Sequence, residues 1–241
     1  MKGIVQSGDS GPRLYPLTLG IPKQLLPIYD KPMIFYPIET LVKAGISEIL
    51  VITTSAQQSA FKDYLGNGFS LNCNITYAVQ DEPKGIAEAI VIGKEYIAND
   101  AVCLITSDAI ISGNTLSQQL QKAFKAVEKS GNATIFVSKD TDADQYGKVI
   151  GNKTVVGESN DYYYRSITGL YVFPKGVADK ASMIQPSERG LLEITSVSKL
   201  YQEDNKLQIQ ELTSDCEWLD TNAFDSLVRC NTFIQKHSKR I

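Results

Sequence analysis

Residues 2–13, KGIVQSGDSGPR, begin with a short apolar run and continue into a glycine-rich loop that ends on a cation. The apolar start is typical of a buried strand. In the loop, Gly8, Ser10 and Gly11 offer backbone N–H groups and a hydroxyl to phosphate oxygens. Arg13 adds a guanidinium beside them. A lone loop of this kind is more often an ordinary turn, so the rest of the chain must decide between the two interpretations.

Two residues inside the loop oppose the binding of an anion. Asp9 introduces a carboxylate, and two like charges about 4 Å apart repel by roughly 4 kcal/mol at an effective dielectric constant near 20. Pro12 has no backbone N–H, and a hydrogen bond to a charged group is worth about 1.5–3 kcal/mol. If this loop binds phosphate, two of its residues therefore oppose that binding.

Strand-like and helix-like segments alternate through the first half of the chain. The predicted strands are residues 2–5, 48–53, 74–79, 101–106 and 133–137. The predicted helices are residues 32–43, 57–65, 86–97 and 116–127. This alternation predicts an α/β fold, with a Rossmann-like, mainly parallel sheet flanked by helices. Ligands of such sheets bind beyond the carboxyl ends of the strands.

From about residue 146 the pattern changes to short strands with fewer helices. The strands expected there are residues 148–150, 153–156 and 162–173. We expect a single domain over residues 1–241, in which a smaller β-rich lobe (141–241) with C-terminal helices closes over a first lobe (1–140).

Composition and charge exclude several classes of function. The chain has 241 residues and a net charge of −3, so no nucleic-acid polymer and no membrane surface is expected as a partner. No apolar segment approaches the ~20 residues of a membrane span, and no secretory apolar region follows Met1. The four cysteines are scattered without a C-x-x-C spacing, which favours reduced thiols in a cytoplasmic protein.

The single histidine, His237, lies in a polar tail. A Ser-His-Asp or Cys-His arrangement needs a histidine inside the fold, so such catalysis is not expected. Histidine-ligated zinc is not expected either. Any enzymatic chemistry must depend on carboxylates, lysine, arginine and backbone dipoles.

Motifs along nearly the whole chain resemble the sugar-1-phosphate nucleotidyltransferases, and most closely the short glucose-1-phosphate thymidylyltransferases. The N-terminal matches are RLYPLT (13–18), PKQLLPI (22–28) and KPMI (31–34). Further matches follow in the family's order: VQ (79–80), GIAEA (85–89), YG (146–147), TGLY (168–171), PSERGLLEIT (186–195) and WLDT (218–221). The resemblance implies the nucleotide-diphospho-sugar transferase fold, with a nucleotide-binding lobe at 1–140 and a sugar-binding lobe at 141–241.

The resemblance also implies a reaction, in which a sugar-1-phosphate oxygen attacks the α-phosphate of a nucleoside triphosphate, dTTP in the closest relatives, and pyrophosphate leaves. Its catalytic residues here would be Arg13, Lys23 and Asp108. Arg13 would hold the triphosphate, and Lys23 would lie near the α-phosphate and the sugar phosphate. Asp108 and Asp220 would together ligate Mg²⁺, which prefers carboxylate, phosphate and water oxygens.

Binding residues follow from the same resemblance. Gly8, Ser10 and Gly11 would bind the phosphates, while Gln80 and Gly85 would contact the thymine edge. The sugar site would contain Tyr146, Gly147, Glu193 and Trp218. Relatives self-associate, so a homo-oligomer is expected. Taken singly, the charged positions have plain alternatives: Asp108 as a turn cap, Asp220 as a turn acid and Lys23 as a solvated surface charge.

Departures from the family's pattern cluster at the expected site. Asp9 replaces a glycine, Pro12 a threonine or serine, and residues 6–7 (Gln-Ser) a Leu-Ala pair. The other changes are Ala109 for an asparagine, Ser159 for a lysine, and residues 222–224 (Asn-Ala-Phe) for Gly-Thr-His. One hypothesis is a working enzyme with altered specificity, in which Arg165 or Lys148 supplies the lost phosphate contact. The other is a weak or inactive relative that binds nucleotides or nucleotide sugars.

Overall fold

The structure is a computed structural model that describes residues 1–9, 11–139, 148–150, 153–155 and 164–238. Four of the sequence-predicted positions, Ser10, Tyr146, Gly147 and Ser159, lie outside the described residues.

The described residues form thirteen strands and eight α-helices. The strands are β1 (Lys2–Ser7), β2 (Pro27–Ile28), β3 (Lys31–Pro32), β4 (Glu48–Thr53), β5 (Asn74–Val79), β6 (Val102–Thr106), β7 (Ile110–Ser112), β8 (Ala133–Ser138), β9 (Lys148–Ile150), β10 (Lys153–Val155), β11 (Tyr164–Phe173), β12 (Leu207–Glu211) and β13 (Glu217–Leu219). The helices are α1 (Phe35–Lys43), α2 (Gln58–Leu65), α3 (Glu88–Ile92), α4 (Lys94–Ile97), α5 (Leu116–Ser130), α6 (Val177–Met183), α7 (Ile194–Glu203) and α8 (Phe224–His237).

A nine-stranded sheet organises the fold, with the order β10-β9-β11-β6-β1-β4-β5 and with β8 joining β11 to β12. Strand β1 pairs in parallel with β4 and β6, and β4 pairs in parallel with β5. The long strand β11 runs antiparallel to β6, β8 and β9. The predicted α/β fold with a parallel core of strands is confirmed, and the carboxyl ends of β1, β4, β5 and β6 share one edge.

Helices cover both faces of the sheet, and successive strand residues therefore enter two different cores. Val5 and Val51 pack on one face, in a cluster that includes residues of α1, α2 and α5. Ile4 and Leu50 pack on the other, in a cluster that includes residues of α3, α6 and α7. Burial on both faces explains why these strands are apolar at nearly every position.

Two predicted helices differ from the observed ones. The helix expected over residues 32–43 begins at Phe35, because residues 31–32 pair with residues 27–28 as a short ribbon. The helix expected over 86–97 is divided at Gly93 into α3 and α4. A Cβ at Gly93 would lie 2.9 Å from Ile4 Cδ1, so the glycine lets this segment pack closely on β1.

The strands of the predicted second lobe continue the same sheet, since β11 hydrogen-bonds directly to β6. The division into two lobes at about residue 140 stays a prediction. Among the described residues, no helix combines the length and apolar character that crossing a membrane requires.

Candidate active site

The glycine-rich loop follows β1 and packs on Lys23. Gly11 adopts a left-handed conformation, with a φ of 64°. A Cβ added at Gly11 would lie 2.7 Å from Lys23 Cβ, so a side chain there would force the loop away from the lysine. The glycine thus keeps backbone and cation together at the carboxyl end of β1.

Lys23 lies at the centre of a charged cluster. Its side chain is fully buried, in a short 3₁₀ turn over Lys23–Leu25. The ammonium donates hydrogen bonds to Asp108 Oδ2 at 2.9 Å and to Asn222 Oδ1 at 2.5 Å. Asp9 Oδ2 lies 3.7 Å from the same nitrogen. Lys23 is therefore not a solvated surface charge, because its donors are directed at groups from three other segments.

A two-stranded ribbon brings the two predicted metal ligands to one place. Strands β7 and β13 pair antiparallel, with Leu219 opposite Ile110. Asp108 stands two residues before Ile110, and Asp220 directly follows Leu219. Because residues opposed in an antiparallel pair lie about 5 Å apart, this register places both acids at the same end of the ribbon.

The environment of Asp108 favours its ionised form. Burial alone would raise the pKa of this carboxyl, but the Lys23 ammonium and a hydrogen bond from the Thr106 hydroxyl outweigh burial and hold the pKa below its usual value. The side chain remains 25% exposed, so the carboxylate is partly accessible to solvent. Asp108 thus presents a negative charge at neutral pH.

Asn222 links Lys23 to Asp220. Its Oδ1 accepts from the lysine, while its Nδ2 and its backbone N–H donate to Asp220 Oδ1 at 3.1 and 2.9 Å. The sequence shows that Asn222 departs from the family's pattern but assigns it no role. A polar residue two positions after a predicted metal ligand is the only signal that could have pointed to it.

Next to the cluster lies a cavity of about 260 Å³ between the loop and the lysine. It is lined by Gly11, Pro12, Arg13, Lys23, Asn222 and Asp9. Arg13 is exposed at this cavity and Lys23 is buried behind it. The two predicted cationic residues therefore face one space that is large enough for phosphate groups.

The predicted base-binding side chain, Gln80, lies against the same loop. A Cβ at Gly8 would come 2.5 Å from Gln80 Oε1, so the glycine makes room for this amide. Gln6 Nε2 donates to Gln80 Oε1 at 3.1 Å. Gln80 Nε2 donates to Glu88 Oε2 at 2.5 Å and to Gly85 O at 3.3 Å. Sequence analysis missed the roles of Gln6 and Glu88 in orienting Gln80.

Gly85 connects the base segment to the segment that carries Glu193. Its φ is 102°, and a Cβ would lie 2.4 Å from Leu192 O. Leu192 N donates to Lys84 O at 2.7 Å, which fixes the two segments side by side. Glu193 Oε1 accepts from Ser187 Oγ at 3.0 Å and from Arg189 Nη2 at 2.8 Å. The predicted base-binding and sugar-binding segments are therefore neighbours.

The other predicted contacts lie elsewhere. Trp218 is 6% exposed and belongs to the hydrophobic core, opposite Ile111 in the ribbon. Its predicted contact with a sugar stays a prediction. Arg165 lies 3.9 Å from Glu211, with Nη1 facing Oε2. The side chain of Lys148 lies outside the described residues.

The oxygen donors of Asp108 and Asp220 fit a Mg²⁺ ion, which prefers one or two carboxylates together with phosphate oxygens and water. Both carboxylates are anchored, one by Lys23 and the other by Asn222. Within the part of the chain that the structure describes, no group of three or more His, Cys, Asp or Glu side chains forms a metal site. A Mg²⁺ ion held by these two carboxylates would complete its coordination with phosphate oxygens and water.

Comparison with known proteins agrees with this geometry. The profile of the nucleotidyl transferase family matches residues 2–237. A glucose-1-phosphate thymidylyltransferase of Neisseria meningitidis is 42% identical over 241 residues, covering 98% of this chain and 83% of the relative. A protein of the same name from Mycobacterium tuberculosis is 40% identical over 250 residues, covering 100% and 84%.

Solved structures show the same fold. A candidate glucose-1-phosphate thymidylyltransferase from Bacillus anthracis, crystallised with sucrose, superposes with a TM-score of 0.89 at 27% identity and covers 100% of this chain and 98% of its own. A UDP-glucose pyrophosphorylase complexed with UDP-glucose gives a TM-score of 0.84 at 18% identity, covering 98% and 99%, which supports the fold alone. The chain belongs to the nucleotidyl transferase family.

Proposed function

We propose that the protein transfers a nucleotidyl group from a nucleoside triphosphate, dTTP, to a sugar-1-phosphate of the glucose-1-phosphate type, with release of pyrophosphate. The observation that carries this proposal is the cluster in which buried Lys23 bonds both Asp108 and Asn222 beside a cavity that Arg13 borders. The names of relatives 40–42% identical to the chain support the substrates.

The reaction gathers two polyanions, so its main requirements are alignment and neutralisation of charge. Arg13 binds the triphosphate at the mouth of the cavity and offsets the charge that develops as pyrophosphate leaves. Lys23 directs its ammonium at the α-phosphate and the attacking phosphate oxygen. Its bonds to Asp108 and Asn222 hold that ammonium in place before substrate arrives, so little reorganisation is needed.

Asp108 and Asp220 are the residues that would hold Mg²⁺. A bound Mg²⁺ supplies neutralisation of phosphate oxygens at the reacting group. Asn222 keeps the Asp220 carboxylate oriented through its two donors. The two carboxylates add negative charge beside a cavity that would bind phosphates, and a divalent cation would offset that charge.

Gln80 contacts the pyrimidine base, and the Glu193 carboxylate accepts a hydrogen bond from a sugar hydroxyl. Their segments are neighbours through the Gly85–Leu192 contact, which supports a nucleotide sugar spanning both. Self-association and a cytoplasmic location complete the proposal. Nothing in the comparisons favours an inactive binding protein.

The test is release of pyrophosphate from dTTP, UTP and CTP with glucose-1-phosphate and Mg²⁺. We expect turnover with dTTP, and its loss by a factor of about 10³ or more in Asp108→Asn, because an electrostatic contact made in the transition state is removed. Asp220→Asn should behave alike. Asp100→Asn, which removes a carboxylate at the opposite end of β1, is the control and should keep activity. Absence of turnover with every pair, in a cooperatively folded protein, contradicts the proposal.

A further inference from the structure

The carboxylate of Asp9 is half-exposed and accepts a hydrogen bond within the glycine-rich loop. Its Oδ1 accepts a hydrogen bond from the backbone N–H of Gly11 at 3.0 Å. The backbone carbonyl of Asp9 accepts from Gln24 Nε2 at 2.8 Å, and the Gln24 side chain is buried. The main chain at Asp9 is thus anchored, and its carboxylate is bonded within the loop.

The second oxygen of the same carboxylate faces Lys23, with Oδ2 lying 3.7 Å from the ammonium nitrogen. Asp9 therefore joins a backbone N–H and a buried cation, which are the two kinds of group that a phosphate binds in such loops. Both groups border the cavity described above, and Asp9 is part of its lining.

We propose that the Asp9 carboxylate occupies a phosphate position of this cavity and makes the site discriminate against nucleotides in proportion to the length of their phosphate chain. The inference deepens the proposed function and rests on it for the identity of the ligand. Asp9 is a specificity-determining residue, and a triphosphate must displace its carboxylate from the Gly11 N–H.

Displacement is possible because half of the Asp9 side chain, 51%, is exposed. Rotation toward water frees the N–H and the ammonium, but the carboxylate stays at the rim of the cavity and still repels an incoming anion. Pro12, which follows Gly11 and also lines the cavity, has no backbone N–H that could compensate. The repulsion acts on the phosphates and not on the base, because Gln80, the proposed base contact, lies against Gly8.

The electrostatic cost of binding beside Asp9 therefore rises from a nucleoside monophosphate to a triphosphate. In a nucleotide sugar the second phosphate is bonded to the sugar, and there is no third phosphate. The Asp9 carboxylate therefore weakens its binding less than it weakens the binding of the triphosphate from which it is made. The chain would bind its product tightly relative to its triphosphate substrate.

Calorimetric titration of dTMP, dTDP and dTTP, in one buffer with the same excess of Mg²⁺ for every protein and nucleotide, tests this. Asp9→Asn keeps the size of the side chain and removes its charge, while Asp9→Gly removes the carboxylate altogether. We expect both variants to lower the Kd of dTTP about tenfold or more, of dTDP less, and of dTMP less than about twofold.

The control is Asp100→Asn. Asp100 is also half-exposed (48%) and lies 3.7 Å from a lysine, Lys2, near the other end of β1, so its loss changes net charge equally. It should leave all three Kd values unchanged. The inference is overturned if the Asp9 variants lower all three Kd values equally or if Asp100→Asn lowers them too. It is also overturned if neither the wild type nor the variants bind any of the three nucleotides.

The proposed function has a separate readout. If Asp9→Asn tightens dTTP as expected but no variant releases pyrophosphate, the inference stands and the proposed activity fails. If the wild type releases pyrophosphate but the Asp9 variants bind dTTP with the same Kd as the wild type, only the inference fails.

Discussion

Lys23 and Asn222 are 199 positions apart in the chain, yet the ammonium of one donates to the Oδ1 atom of the other at 2.5 Å. Asn222 also donates to Asp220, so one amide orients both the proposed cation and a proposed metal ligand. We predict that Asn222→Ala lowers kcat/KM about 10- to 100-fold, because a hydrogen bond from a charged group is worth about 1.5–3 kcal/mol. Initial rates of pyrophosphate release measure this.

The Asn222→Ala variant also distinguishes a positioning role of Asn222 in catalysis from a role in the stability of the fold. Asn222 is partly exposed, but its truncation removes one acceptor of the buried Lys23 ammonium, so we expect only a moderate loss of stability of about 1–3 kcal/mol. A loss of activity matched by a large loss of stability would point instead to a structural role for Asn222. Unchanged activity would show that the Lys23 ammonium is held by Asp108 alone.

Gln6 holds the oxygen of Gln80, and the Gln80 amide nitrogen is already bonded to Glu88 and Gly85. The amide oxygen can accept two hydrogen bonds, and in Gln6→Leu both of them become available to a base. Thymine and uracil carry a donor at N3, whereas cytosine carries an acceptor there. We predict that KM falls about two- to tenfold for dTTP and UTP but not for CTP, from the worth of one neutral hydrogen bond. Equal changes for the three nucleotides would contradict this.

Gly85 is a position where a side chain cannot be accommodated without movement of backbone. Its φ of 102° is unfavourable for other residues, and a Cβ would meet Leu192 O at 2.4 Å. We predict that Gly85→Ala destabilises the protein by about 1–3 kcal/mol and raises KM, as strain separates the two segments. Denaturant unfolding and steady-state kinetics measure the two effects.

The matched control is Gly20→Ala, since a Cβ at Gly20 meets nothing within 4 Å. This variant should differ from the wild type by less than about 0.5 kcal/mol. Comparable destabilisation in the two variants would show that the Gly85–Leu192 contact carries no special cost.

Asp215 connects the start of α5 with the segment before β13. Its carboxylate accepts from Thr115 Oγ1 and from Thr213 Oγ1, both at 2.7 Å, and these bonds lower its pKa to about 2. Because the pKa is depressed in the folded state, the stabilisation is present above about pH 4 and is lost as the pH falls toward 2. We predict that Asp215→Asn is less stable than the wild type at pH 7 and that the difference shrinks between about pH 4 and 2.

Urea unfolding midpoints at pH 7, 4 and 2.5 measure that difference. Asp63→Asn, at an exposed position of α2, serves as the comparison and should show no such trend. A gap between wild type and Asp215→Asn that persists unchanged at pH 2.5 would mean that the threonine bonds do not require the charge.

The parallel strands were predictable because burial on both faces makes their sequences continuously apolar, as in residues 48–53 and 101–106. The resemblance, which covers nearly the whole chain, singles out Lys23, Asp108 and Asp220. Their roles stay predictions, and the structure brings the first two into direct contact. The strands could be predicted from local sequence because burial on both faces favours an apolar residue at nearly every position.

The partners of polar side chains were not predictable. Nothing near Asn222 in sequence indicates that its amide bridges Lys23 and Asp220. The pairing of Gln6 with Gln80 likewise depends on the juxtaposition of two strand ends. The division of a predicted helix at Gly93 depends on close packing against Ile4, which is a tertiary effect.

The ribbon of β7 and β13 has a consequence for the order in which the protein is made. Asp108 emerges from the ribosome with the first half of the chain, but Asp220 follows β13, whose residues are 217–219. Until that late strand pairs with β7, the first acid has no second acid beside it and Lys23 lacks its Asn222 acceptor. A nascent chain can therefore form its parallel sheet well before it can assemble the proposed metal-binding centre, and a contact this distant in sequence forms slowly.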